Sequence, residues 1–212
     1  LEMVQEGKTN AIHIRMPTEL DEKMARLSGY VLAEGYVNIT KNSQSIRFVN
    51  SDKEPLDDFS GIITDLFGLT ITKRARNNAY ELIASSRELV RFLERNFEHI
   101  GKISAEKKIS EKILKSPENI VKEFLRAFFD GEGSVRKTQR TIEISSASED
   151  IIDSLSMLLL RFEIVSTKKT IYNRATNGGK KTRKYFRLRI GSGFAEKFAK
   201  KIGFVSKRKK EN

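Results

Sequence analysis

The sequence predicts an α+β fold of two pseudo-symmetric αββαββα units. Three observations predict it. A helix-like segment opens at Thr18 and closes at Gly35, and a second opens at Ser116 and closes at Gly133, so both starts and ends are 98 residues apart. The same order of strand-like and helix-like segments follows each of them. Around Arg187 and Arg189 basic and apolar residues alternate, the period of a strand with one charged face and one core face.

The elements follow in order. In the first segment Thr18 and Asp21 resemble a capping box, and Met24, Leu27, Tyr30, Val31 and Leu32 supply the apolar face. In the second, Ser116-Pro117 suggests an N-cap before a first-turn proline, and Val121, Phe124, Leu125, Phe128 and Phe129 are apolar. Both close on Glu-Gly, with glycine suited to a left-handed C-cap. The strand 47–51 parallels 142–146, Leu56 and Ile151 open the next helices, and Phe67 with Leu69 and Phe162 with Ile164 close them. The offset here is 95, so the second unit has a hairpin three residues shorter. Two strands and a last helix complete each unit, over 88–97 and 194–202. The expected organisation is 1–97 for the first half, 98–115 for a charged, partly helical connector, and 116–212 for the second half.

The 212 residues include 40 Lys+Arg and 28 Asp+Glu, a net charge of +12, and 38% hydrophobic residues suffice for a core. Zero Cys excludes a disulfide framework, a zinc ribbon and a thiol nucleophile, and two isolated histidines, His13 and His99, exclude a histidine-based metal centre. No apolar run approaches the ~20 residues of a membrane span, so a soluble intracellular protein without a membrane partner is expected. The positive charge is clustered. Residues 164–195 hold nine Lys/Arg and no acid, Lys73, Arg74 and Arg76 stand unopposed in 69–80, and Arg136, Lys137 and Arg140 form a third group. A sheet face of Arg, Lys, Asn, Gln and Thr suits phosphates and base edges, so the expected partner is nucleic acid.

The acids are the odder feature. A helix C-terminus already carries partial negative charge, so a glutamate in the last turn is unfavourable, yet Glu34 and Glu132 occupy equivalent positions of the repeat. Small residues, Ser28, Gly29 and Ala33 in one helix and Ala127 and Gly131 in the other, allow close packing. If the helices pack across a pseudo-twofold axis, both carboxylates meet and repel unless a divalent cation lies between them. All-oxygen ligands favour a hard ion such as Mg²⁺, and the carbonyls of Ala33 and Gly131 can add to the set.

Leu27-Ser28-Gly29-Tyr30-Val31-Leu32-Ala33-Glu34-Gly35 and Leu125-Arg126-Ala127-Phe128-Phe129-Asp130-Gly131-Glu132-Gly133 resemble the two copies of the LAGLIDADG motif of homing endonucleases. The resemblance covers nearly the whole chain. It implies a monomeric enzyme whose motif helices form the interface beneath a saddle of antiparallel sheets, set over the major groove of double-stranded DNA. It also implies a long recognition site, Glu34 and Glu132 as metal ligands, and cutting of both strands with Mg²⁺, with Mn²⁺ as another usable divalent cation. Asp130, at the sixth motif position, is expected to be structural or to support the metal ligands, and is the nearest competitor for the metal role. The family places a basic residue near each scissile phosphate at the end of the fourth strand. Arg87 stands about there in the first half, whereas Ser192-Gly193 occupies the point in the second, so Arg189 or Lys197 would substitute.

DNA-facing candidates are Asn38, Thr40, Asn42, Gln44, Arg47, Lys73, Arg74, Arg76 and Asn78 in the first half. In the second they are Arg136, Lys137, Gln139, Arg140, Lys168, Tyr172, Arg174, Lys180, Lys181, Arg183, Arg187 and Arg189, with the basic loop 175–183 reaching flanking backbone. Such enzymes are mobile elements of introns or inteins. The same scaffold in an RNA maturase or a non-cleaving DNA-binding regulator is the alternative; both tolerate loss of the eighth-position acids, and this chain keeps both.

Overall fold

The structure, a computed structural model, describes residues 1–3, 14–97, 100, 102–174 and 182–211. Its first unit runs α1 (Glu22–Ala33), β1 (Gly35–Ile39), β2 (Gln44–Asn50), α2 (Lys53–Phe67), β3 (Thr72–Arg76), β4 (Ala79–Ser85) and α3 (Arg87–Asn96). One helical turn, α4 (Glu111–Leu114), lies in the connector. The second unit is α5 (Glu118–Glu132), β5 (Ser134–Arg136), β6 (Thr141–Ser146), α6 (Glu149–Leu160), β7 (Ser166–Arg174), β8 (Thr182–Ile190) and α7 (Ser192–Lys201), followed by a further turn, α8 (Lys207–Lys210).

Each unit builds one antiparallel four-stranded sheet, in the orders β1-β2-β4-β3 and β5-β6-β8-β7. The α+β class and the repeated element order predicted by the sequence are therefore both present. Helices cover one face of each sheet. In the first unit Tyr30, Phe48 and Phe59 pack ring to ring, Phe48 and Phe59 stacked at 4.8 Å between centroids. In the second, Phe198 joins Phe129 at 4.7 Å and Phe204 at 5.2 Å. The N-caps of α2 and α6, Asp52 and Ser148, are 96 residues apart, so the second hairpin is shorter by two residues and not three; it turns through a 3₁₀ segment, Lys137–Gln139, and a left-handed Arg140. Among the described residues no helix is long and apolar enough to cross a membrane.

Three further local expectations are corrected. Asp21, not Thr18, caps α1, its side chain accepting from the Met24 amide. Ser116 does not cap α5; its hydroxyl donates to the Lys112 carbonyl, and Pro117, with φ −65°, takes the N-cap position. Gly35 and Gly133 are not left-handed: among the described glycines only Gly68 and Gly203 have positive φ. Glycine is required after each motif helix for space. A Cβ on Gly35 would stand 2.5 Å from the Val31 Cα, and one on Gly133 2.4 Å from the Phe129 carbonyl oxygen. The chain leaves each helix so sharply that only a hydrogen fits beneath the turn.

Candidate functional site

Helices α1 and α5 lie side by side because one small residue faces another at two levels. A Cβ on Gly29 would be 3.0 Å from the Ala127 Cβ and 2.6 Å from the Phe124 carbonyl oxygen. One helical turn later, a Cβ on Gly131 would be 2.6 Å from the Ala33 Cβ. Third motif position thus meets third, and seventh meets seventh, so the helices run in the same sense with their C-termini together. Arg26 ties them laterally, donating from Nε and Nη2 to Glu123 at 2.8 and 2.5 Å and from Nη1 to Asp58 at 2.8 Å.

This packing brings Glu34 and Glu132 to the same end of the helix pair. The Glu34 Cγ lies 3.0 Å from where a Gly131 Cβ would stand, so its side chain lies against the last turn of α5. Both residues reach solvent, yet protein surrounds them closely enough to raise both pKa values. Burial and the charge of Glu34 push Glu132 up to about 7, and burial raises Glu34. A cleft of about 590 Å³ opens beside Glu132, lined among others by Leu32, Lys107, Ser146, Arg183 and Lys184.

Two ammonium groups hold the negative helix ends. Lys107 Nζ donates to the Leu32 carbonyl at 2.9 Å. Lys209 Nζ donates to the carbonyls of Phe129, Asp130 and Gly133 at 3.1, 2.6 and 2.6 Å. Leu32 and Asp130 share the sixth motif position, so the two lysines are counterparts. Burial lowers the pKa of both; Glu132 and Glu34 oppose this at Lys107, and Asp130 opposes it most strongly at Lys209. Sequence reasoning missed both residues. Lys107 sits in the connector and Lys209 in a Lys/Arg run that reads as solvated tail; the available signal was that each follows the last helix of its unit by a short segment.

The Asp130 side chain is structural, as expected. It is 2% exposed and accepts from the amides of Val205 and Ser206 at 2.6 and 3.0 Å, fixing the segment that carries Lys209. Burial pushes its carboxyl up to about 6 despite those two bonds.

Among the described residues there is no group of three or more His, Cys, Asp or Glu able to hold a metal. Two carboxylates remain, with the carbonyls of Ala33 and Gly131 in helix-final turns that have no further helical amide to bond. An all-oxygen set of this kind fits a hard divalent cation that takes its other ligands from water and phosphate. His13 and His99 lie outside the described residues.

Strand register divides the proposed DNA-facing residues. In the first sheet Tyr36 pairs with Arg47, Asn38 with Ser45, and Arg74 with Glu81, so these side chains share the face opposite the helices with Arg76. Glu81, 3% exposed, organises that face: it receives the Tyr36 hydroxyl and forms ion pairs with Arg76 at 3.2 Å and Arg47 at 3.6 Å. In the second sheet Glu143 gathers Arg136 at 3.1 Å, Arg189 at 3.7 Å and Arg187 at 3.9 Å. Arg183 has the same parity along β8, and Gln139 accepts from Arg189 at 3.4 Å. Thr40, Asn42, Asn78, Lys137 and Arg140 are exposed in the hairpin turns.

Four candidates fall on the helix-side face instead. Gln44 shares its parity with Ile46, and Lys73 pairs with core Leu82 and lies 4.2 Å over the Tyr80 ring. Lys168 pairs with core Leu188 and is held by Asp153 at 2.6 Å and Glu149 at 2.7 Å, and Tyr172 pairs with Lys184 two residues from core Phe186. A charged run fixes no phase by itself, and a one-residue difference in phase turns each of these side chains to the other face. Arg174 ends β7 opposite Thr182, while Lys180 and Lys181 lie outside the described residues, as does most of the loop 175–183.

The two arginines expected near the phosphates lie at opposite ends of their sheets relative to the acids. Gly35, beside Glu34, is level with Phe48 and Leu82, whereas Ser85 is level with Ser45 and Asn38. Arg87 therefore begins α3 beyond the far end of the sheet from the acids. Arg189, by contrast, is level with Glu143 and Ser134, two residues beyond Glu132, and is held in the Glu143 cluster, while Lys197 binds Glu163 at 2.9 Å.

The LAGLIDADG-like domain family matches residues 21–96 and 119–203, one match to each unit. Relatives include a Methanocaldococcus jannaschii protein described as "Probable translation initiation factor IF-2", 31% identical over 94% of this chain and 17% of that protein. The RNA polymerase subunit Rpo1C of the same organism is 31% identical over 96% of this chain and 22% of its own length. A DNA polymerase of a Thermococcus species is 29% identical over 79% of this chain and 10% of its own. The chain thus spans about a fifth or less of these relatives. Among solved structures, the homing endonuclease I-DmoI with DNA and Mn superposes with a TM-score of 0.62 at 16% identity, covering 87% of this chain and 98% of that one. Full-length DUF199/WhiA from Thermatoga maritima superposes with a TM-score of 0.59 at 17% identity, covering 92% and 59%. At such identities the likeness is one of fold. With both repeats matched and nearly the full chain covered by its relatives, this protein belongs to the LAGLIDADG-like family in its two-motif form.

Proposed function

We propose that the chain is a site-specific endonuclease that cleaves both strands of double-stranded DNA with a divalent cation at Glu34 and Glu132. The observation that carries this reading is the meeting of two carboxylates at paired helix C-termini, each flanked by a lysine, beneath two sheets with arginine-rich outer faces. A bound Mg²⁺ or Mn²⁺ would neutralise charge on the scissile phosphate and activate the attacking water. The protein supplies the rest. Glu34 and Glu132 hold the cation, Lys107 and Lys209 set the helix-end carbonyls and add positive charge where the phosphates approach, and Arg47, Arg74, Arg76, Arg136, Arg187 and Arg189 contact DNA.

The relatives support a mobile origin. An initiation factor, an RNA polymerase subunit and a DNA polymerase share no common task that a domain of this kind would serve, yet each contains a counterpart of this chain within a much longer protein. A module inserted into unrelated hosts, as an intein is, accounts for that distribution.

The test is strand cleavage of a DNA library by the wild type, Glu34→Gln and Glu132→Gln with Mg²⁺ and with EDTA. Metal-dependent cleavage lost in either variant, with DNA binding retained, supports the reading. A fully active single variant overturns the site, and binding without cleavage by the wild type leaves the regulator reading in its place.

A further inference from the structure

Two short segments carry Lys107 and Lys209, and both dock on the opposite half of the molecule. The strap 203–211 follows the second unit, where Asp130 holds its Val205 and Ser206 amides, and is also fastened to the first. The Ser206 hydroxyl donates to Asp52 Oδ2 at 2.6 Å, and Arg208 donates to Oδ1 from Nε at 3.0 Å and to Oδ2 from Nη2 at 3.1 Å. Lys207 adds a looser pair with Glu54 at 3.9 Å. The segment 102–110 follows the first unit but is fastened to the second. The Ser148 hydroxyl donates to the Lys107 carbonyl at 2.7 Å, and Lys108 pairs with Asp150 at 3.0 Å.

The two anchors are counterparts. Asp52 is the N-cap of α2 and Ser148 the N-cap of α6, the second helix of each unit. Each is entered through the same turn: the Asp52 amide donates to the Asn50 side chain at 2.8 Å, and the Ser148 amide to the Ser146 side chain at 3.1 Å. Asp52 is the more telling of the two. An N-cap aspartate ordinarily accepts from its own helix, yet Asp52 makes no side-chain cap bond and gives both carboxylate oxygens to the strap. Only 11% of that side chain is exposed, against 62% of the Arg208 side chain, so the charge-assisted bond is buried on its carboxylate side.

We propose that Asp52 and Ser148 are positioning residues that set Lys209 and Lys107 from across the molecule, so that each half governs the ammonium group supplied by the other. This rests on the endonuclease reading and deepens it: cleavage of the two strands is coupled through crossed straps, not only through the shared helix pair. The geometry at the far end of each strap is strict. Lys209 satisfies three carbonyls within 3.1 Å, and its amide donates to the Ser206 hydroxyl at 3.2 Å, so a small shift of Ser206 is passed to the residue that carries the ammonium group. Displacements of this order at a catalytic centre cost up to about a hundredfold in rate.

The test is a strand-resolved nicking assay on an end-labelled duplex carrying the selected target, run on the wild type, Asp52→Ala, Ser148→Gly and Arg208→Gln. Glycine at an N-cap costs little, so Ser148→Gly removes the hydroxyl with α6 preserved. Asp52→Ala is expected to slow one strand about tenfold or more while the other changes less than about twofold, as a displacement confined to one ammonium group requires. Arg208→Gln, which leaves α2 intact, is expected to slow that same strand, and Ser148→Gly the opposite one. Equal slowing of both strands, slowing of one common strand by Asp52→Ala and Ser148→Gly, or no change overturns the proposal. Amide hydrogen exchange gives a second readout independent of cleavage. Asp52→Ala should deprotect Val205 and Ser206 and leave 102–110 unchanged, with the reverse in Ser148→Gly. If the wild type cuts neither strand, the endonuclease reading fails and exchange alone decides the cross-bracing; unchanged protection in both variants overturns it.

Discussion

Gly131 and Ala33 meet so closely that a methyl group on Gly131 would stand 2.6 Å from the Ala33 Cβ and 3.0 Å from the Glu34 Cγ. The same contact that allows the helices to approach therefore also sets one of the two acids. Gly131→Ala should separate the helix ends and displace Glu34 together. The expected loss is about 1–3 kcal/mol of stability, the usual cost of overpacking, with DNA cleavage reduced beyond what that loss explains. Gly61 in α2 is the control, because nothing lies within 4 Å of a Cβ built there. Gly61→Ala should raise stability by up to about 1 kcal/mol through helix propensity and leave cleavage unchanged. Denaturant melts of the two variants check both signs.

The raised pKa of Glu132 makes metal binding depend on pH. Its folded value of about 7 exceeds the ordinary 4.5, so between those values the folded state binds more protons than the unfolded one. Stability of the metal-free protein should fall as pH rises through this window, and Asp130, shifted up to about 6, acts in the same direction from 3.8. A cation at the site reverses the penalty by requiring the ionised form. The increase in Tm produced by Mg²⁺ should therefore be small near about pH 5 and grow through about pH 7. In Glu132→Gln that growth should be largely lost, and an equal Mg²⁺ shift at both pH values would remove Glu132 from the ligand set.

The helix pair and the acids were legible in the sequence because the repeat places them. Glu34 and Glu132 recur at one spacing with small residues one position before each, and physical reasoning needed only that spacing to bring them together. The sheet faces were less legible. A basic run such as Lys168-Lys169 shows that a strand is charged, but its phase depends on which neighbour opposes a core residue, and pairing with Leu188 turned Lys168 toward Glu149 and Asp153. Lys107 and Lys209 were legible only as lysines a short segment beyond the last helix of each unit, with nothing to say what they bind. Lys107 is placed by a strap whose own carbonyl is anchored 41 residues away at Ser148, and Lys209 by one whose Ser206 is anchored 154 residues away at Asp52.

The arginine faces give a prediction about salt. If Arg47, Arg74, Arg76, Arg136, Arg187 and Arg189 engage phosphates, log K should fall linearly with log salt, with each lost contact reducing the slope by about 0.9. Glu81→Gln separates reading from attraction. It removes a negative charge from the DNA face, so affinity for random DNA should rise. It also releases Arg47 and Arg76 from a fixed geometry, so the ratio of specific to non-specific affinity should fall. Binding titrations on target and random duplexes at two salt concentrations measure both quantities, and a preserved ratio would count against the role of Glu81 in ordering those arginines.

Lys107 and Lys209 should differ in what they contribute to folding. Lys209 is 6% exposed and its ammonium group donates to three backbone carbonyls, whereas Lys107 donates to one carbonyl at the edge of the open cleft. Lys209→Met keeps the volume of the stem but takes the ammonium donor from the buried carbonyls of Asp130 and Gly133, while that of Phe129 keeps the Gly133 amide, at a cost of about 1–3 kcal/mol for unsatisfied polar groups. Lys107→Met leaves a single carbonyl that water can reach, so its stability should change by less. Cleavage should fall in both, because each ammonium group stands beside the acidic pair. Thermal melts alongside nicking assays distinguish the two effects: a Lys107→Met protein that is stable but inactive assigns that residue to the chemistry, whereas full activity in it would confine Lys107 to closing the end of α1.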